Sequence, residues 1–169
     1  MDLRVPWVGR QRAPPNARDY YSYHGPSDAR VVRWFGVQPS WNKKVPNTLN
    51  HINTRLDRDN VVYVCATAGC QTATAWTSPL SPNAVYLCPI FFEAPVAEGE
   101  FSQATTIIHD DLAHGPGWLH ARHPNWAYAN LDSDPDAVKN AVHELGQNNP
   151  VGASWNADSY NYYAVDPPL

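Results

Sequence analysis

The sequence predicts an α+β domain, a small sheet followed by helices. Two observations predict it. Runs rich in β-branched and aromatic residues all fall before residue 90. Patterns of helical period dominate after it. A chain of 169 residues, 43% hydrophobic and 17% charged, is one domain on length. It can bury roughly two thirds of its unfolded surface. Sixteen prolines point to many loops and few long elements.

Residues 1–30 are rich in Pro, Arg and Tyr without a period, and read as an extended N-terminal arm laying Tyr20, Tyr21 and Tyr23 on a body formed by residues 31–169. Ala29, Val32 and Phe35 recur near helical spacing and predict a short helix, and Pro39-Ser40-Trp41-Asn42 reads as a turn. A second helix opens at Asn47, a good N-cap, with Leu49, Ile52 and Leu56 on one face, and ends at Asp59-Asn60. Val61 to Ala66 is a first strand, Gly69 a turn residue, Thr72 to Thr77 a second strand and Asn83 to Leu87 a third. Pro89 bounds the third strand, and Phe91 and Phe92 offer two core anchors.

Ser102 caps a central helix running to His114, with Ala104, Ile107, Ile108 and Leu112 as its apolar stripe and Gly115-Pro116-Gly117 as its stop. Ser133-Asp134-Pro135-Asp136 starts the next helix, which buries Val138, Ala141, Val142 and Leu145 and ends at Gly146. Asn156 opens a last helix to about Val165.

Composition excludes some functions. Net charge is −4 and no basic run exceeds Lys43-Lys44, which argues against nucleic acid as a partner. Arg4, Arg10, Arg12 and Arg18 read as a solvated arm. No stretch approaches the roughly 20 apolar residues of a membrane helix, so no membrane partner is expected. Met1 to Pro6 lacks the apolar core of a signal peptide. Cysteines at 65, 70 and 88 allow one disulfide and leave one thiol, which suggests an oxidising compartment. Oligomeric state is not legible.

The chemistry concentrates in Thr105-Thr106-Ile107-Ile108-His109-Asp110-Asp111-Leu112-Ala113-His114. A helix with histidines and an acid on one face holds a metal and its catalytic base, usually as H-E-x-x-H. Here the histidines are five apart, about 140° around a regular helix, so His109 and His114 do not share a metal there. A π-bulge would absorb the extra residue. Alternatively Asp110 and His114 form the metal face with Asp111 as base, and His120 or His123 supplies a loop ligand. The ordinary structural reading stands beside these: His114 favouring its helix C-terminus, His109 a buried histidine bonded to a carbonyl, the acids solvated. Metal-free acid–base work by Asp110 or Asp111 with His109 is a third reading. A cysteine nucleophile and a carbohydrate surface of Trp118, Trp126 and Trp155 are weaker ones.

Three stretches together resemble the fungal deuterolysin-type zinc endopeptidases, the aspzincins, with the related lysine-specific metalloendopeptidases. They are Asn83-Ala84-Val85-Tyr86-Leu87-Cys88-Pro89-Ile90-Phe91-Phe92, Thr105-Thr106-Ile107-Ile108-His109, and Asn156-Ala157-Asp158-Ser159-Tyr160-Asn161-Tyr162-Tyr163-Ala164. The resemblance covers roughly residues 47–165. It implies a zincin-like metalloprotease fold with a small antiparallel-rich sheet packed on a central zinc helix. It also implies a zinc cofactor, peptide or protein substrates, secretion and a Cys70–Cys88 disulfide.

The active-site pattern departs from the family's in either frame. Placed on His109, the H-E-x-x-H motif keeps the first ligand, takes Asp110 as base and finds Ala113 at the second ligand. Placed on Asp110, it keeps His114 and takes Asp111 as base. The family's third ligand falls on Asn125, and its transition-state Tyr is kept as Tyr128. The resemblance therefore leaves a hydrolase with a shifted ligand set drawn from His109, His114, Asp110 and His120 or His123, or a pseudoprotease whose cleft serves binding or metal-free acid–base chemistry.

Overall fold

The computed structural model describes residues 17–57, 61–70, 73–78, 80–96, 102–113 and 135–166. The first helix, α1 (Ala17–His24), lies where the sequence reading expected an extended arm. It buries Tyr20 and leaves Tyr23 exposed. α2 (Ala29–Phe35) is capped by Asp28, whose side chain accepts from the Arg30 N–H. Its buried face is Arg30, Val31, Trp34 and Phe35, shifted from the expected Ala29 and Val32. The shift has a physical reason: Arg30 is buried because its guanidinium lies over the Tyr20 and Tyr163 rings and bonds the Tyr163 carbonyl. The expected turn is present, with the Asn42 N–H on the Pro39 carbonyl.

α3 (Lys44–Asp57) starts three residues before Asn47. Asn42 rather than Asn47 takes the exposed N–H, accepting from Lys44 at 3.0 Å. Asn47 instead donates within the helix, to the Lys43 carbonyl.

Three strands follow, β1 (Val62–Cys65), β2 (Ala75–Ser78) and β3 (Ser81–Leu87), in the order β1-β3-β2. β2 and β3 pair antiparallel, while β1 joins β3 in parallel. Trp76 stands opposite Tyr86, and the two rings stack at 3.9 Å. Gly69 has φ +78°, the left-handed turn its position required. Cys70 and Cys88 form the disulfide, tying the chain after β1 to the end of β3, and Cys65 is a free, exposed thiol. Phe91, in a 3₁₀ turn (Pro89–Glu93), is buried against Val85 and Leu87. Phe92, expected as a second anchor, is about half exposed (53%) because the tight turn sends adjacent side chains apart.

α4 (Gln103–Ala113) is the central helix, followed by α5 (Pro135–Asn148), a short α6 (Pro150–Ala153) and α7 (Ala157–Val165). α5 continues past Gly146, the expected stop. Gly146 is a packing residue: a Cβ there would lie 2.9 Å from the Trp34 carbonyl oxygen. The main core joins α1, α2, α3, α5 and α7 through Tyr20, Val31, Phe35, Leu49, Val142 and Tyr163. A smaller core of Val85, Leu87 and Phe91 lies under the sheet. Among the described residues no helix is long and apolar enough to cross a membrane.

Candidate metal centre

α4 lies between the two cores. Ile108 packs on the main core and Ile107 on the sheet core, so adjacent residues brace the helix from both sides. Its first turn closes on itself. Ser102 N–H donates to Thr105 Oγ1 at 2.8 Å, and Thr105 N–H donates to Ser102 Oγ at 3.2 Å. Both residues are buried, so this reciprocal cap satisfies donors that water cannot reach. One residue beyond Ile108 stands His109.

α7 is fixed just as firmly. Asn156 Oδ1 accepts the Ser159 N–H at its start. At its end, Arg33 and the Trp34 indole N–H both bond the Asp166 carboxylate, at 3.0 and 2.7 Å. Tyr160 and Tyr163 are buried along its length, and burial pushes both phenols well above their ordinary pKa, so they act as neutral packing groups.

A polar contact joins the two helices among the described residues. His109 Nδ1 lies 2.9 Å from Asp158 Oδ1, with about a fifth of each side chain exposed (20% and 18%). Asn161 follows Asp158 by one helical turn, and its Oδ1 is buried with no hydrogen-bond partner among the described residues.

His109 is the one residue of the expected site whose side chain is described. Asp110 and Asp111 lie on α4, but their side chains fall outside the described residues. His114, His120, His123, Asn125 and Tyr128 also lie outside them. The chain is α-helical to Ala113, so the residue one turn beyond His109 has no ligand atom. The π-bulge considered above would close on residue 114, outside the described residues. Of the three tryptophans considered for a sugar surface, Trp155 lies under the Lys44 ammonium at 3.9 Å, and Trp118 and Trp126 are outside the described residues.

Among the described residues no group of three His, Cys, Asp or Glu could hold a metal ion. The donor that is described does fit one. A histidine held through Nδ1 by a carboxylate presents Nε2, the arrangement that metal-ligating histidines adopt. The partner described for His109 Nδ1 is a carboxylate. Asp158 was missed as a site residue. Its signal was an acid inside the closing helix, which the sequence reading used only as a resemblance.

The lysine-specific metallo-endopeptidase family model matches residues 20–165, most of the chain. This chain belongs to that family, the aspzincins. An extracellular protease of Aeromonas hydrophila is 31% identical over 156 residues, 90% of this chain but 40% of the relative's length. A peptidyl-Lys metalloendopeptidase of Pleurotus ostreatus is 27% identical over 158 residues, 90% of this chain and 83% of the relative. Among solved structures, a zinc peptidase from Grifola frondosa superposes with a TM-score of 0.66 at 25% identity, covering 89% of this chain and 83% of that one. This aspzincin thus has the fold of a zinc peptidase, and both arms of the His109–Asp158 contact lie within the matched residues.

Proposed function

We propose that this chain is a secreted zinc endopeptidase that hydrolyses peptide bonds with a shifted ligand set. The observation that carries the reading is His109, held through Nδ1 by Asp158 on a helix braced from both cores. His109 would hold the metal with His120 or His123 from the following segment, and with His114 where a π-bulge closing on that residue absorbs the extra position. When bound, zinc supplies a water acidified toward neutral pH. Asp110 or Asp111 would serve as general base toward the attacking water and as general acid toward the leaving amine. The Tyr128 hydroxyl donates a hydrogen bond to the oxyanion. The disulfide and the Aeromonas relative's extracellular character support secretion.

A second reading rests on a different observation. Ala113 stands where a second helical ligand belongs, which supports a pseudoprotease whose cleft binds peptide, or does metal-free Asp/His chemistry. Elemental analysis of the purified protein separates the two. Close to one zinc per chain, with chelator-sensitive cleavage of a peptide panel that includes Lys-containing substrates, supports the endopeptidase. No zinc, and none taken up when offered, removes it. Asp110→Asn and Asp111→Asn then assign the base: the correct one abolishes turnover while sparing metal.

A further inference from the structure

We propose that Asp158 is the positioning residue of His109, fixing the imidazole tautomer that keeps its lone pair on Nε2 for a divalent cation. This rests on the endopeptidase reading and adds a residue to it. A carboxylate only accepts hydrogen bonds, so at 2.9 Å the neutral imidazole must carry its proton on Nδ1. Nε2 is then the ligating nitrogen. That nitrogen is the one farther from the α4 backbone, so the contact sets the direction of the ring as well as its proton.

The contact is built rather than incidental. It joins residues 49 apart in sequence, across two helices that are each capped and packed independently of it. Both partners are largely buried, so solvent weakens the bond less than it weakens a surface ion pair. Asp158 also lies in the first turn of α7, where a carboxylate favours the helix dipole. A helix-stabilising role alone, however, does not set the tautomer of a histidine on another helix.

The test uses the metal-free full chain labelled with ¹⁵N-histidine, at a pH where imidazole is neutral. The His109 signal is assigned by its loss in His109→Gln. Wild type is expected to show His109 protonated on Nδ1. Asp158→Ala is expected to shift it toward the Nε2-protonated form, and Asp158→Asn, whose amide oxygen still accepts, to retain the wild-type form. Zinc affinity, measured by chelator competition, is expected to fall about 10- to 100-fold in Asp158→Ala and less in Asp158→Asn.

A His109 tautomer unchanged in a folded Asp158→Ala overturns the proposal, even if wild type binds zinc. If wild type takes no zinc, the endopeptidase reading falls while the tautomer still decides the positioning role. Should Asp158→Ala fail to fold, Asp158→Leu, close to aspartate in size and unable to accept a hydrogen bond, carries the test, and a His109 tautomer unchanged there overturns the proposal.

Discussion

Some side chains here act through near neighbours in sequence and others through distant partners. His51 is half-buried on α3, and its Nε2 has no hydrogen-bond partner among the described residues. Burial lowers its pKa, and the positive charges of Arg55 and Lys44 lower it further. The unfolded chain therefore binds a proton near His51's ordinary value, about 6.5, that the folded chain refuses. Stability contributed by neutral His51 is present above that value and falls as pH drops toward the lowered folded pKa. Urea midpoints measured from pH 8 down to 5 are expected to fall at the acid end, and His51→Gln to flatten that fall. An unchanged slope in the variant would remove His51 from the account. Ser102 is a simpler case. Ser102→Ala breaks the reciprocal cap with Thr105 and is expected to cost about 1 kcal/mol in thermal unfolding. That cap was legible because it spans three residues. Asp158 was not, since its partner is 49 residues away and a first-turn acid already has a local explanation.

Between elements, α2 and α5 cross closely, backbone against backbone, at two glycines. Gly36 has φ +65°, and a Cβ there would come within 1.9 Å of the Gly146 carbonyl oxygen. Gly36→Ala therefore strains its own backbone and pushes α5 away, with an expected loss of at least about 2 kcal/mol in chemical denaturation. A change within a few tenths of wild type would mean that the crossing relaxes freely. Gly146 was read as a helix stop because glycine usually follows a helix end. Its actual role is a contact with Trp34, more than a hundred positions away, which no local window contains. The strands were legible for the opposite reason. Val62–Cys65 declares itself by a β-branched and aromatic run and Asn83–Leu87 by a continuous apolar run, although the start of β3 at Ser81 and the parallel pairing of β1 with β3 have no local signature. The disulfide that holds this pair closes a sequence separation of 18. Replacing Cys70 and Cys88 together by alanine is expected to cost about 3 kcal/mol, read as a drop in Tm.

At the scale of the whole molecule, the question is whether metal would hold the fold or only serve the site. The main core is apolar and aromatic and draws on α1, α2, α3, α5 and α7, while His109 and Asp158 lie at its edge. The family's order of stretches was legible from sequence because its fold-determining residues lie in these elements. The ligand set was not, because two acids and an offset histidine admit two frames on α4. A fold built this way does not need a metal to nucleate it, unlike small domains that are unfolded without zinc. Chelated protein is therefore expected to keep its helical circular dichroism and a single cooperative thermal transition. Zinc restored at about a hundred times its dissociation constant should add about 2.7 kcal/mol by mass action alone. Calorimetry of stripped and reloaded protein checks this. Loss of the cooperative transition on stripping would make the metal structural, and chelator inhibition of cleavage would then report unfolding rather than a missing catalytic ion. With the transition intact, the same inhibition would point at the chemistry of His109 and its neighbours on α4.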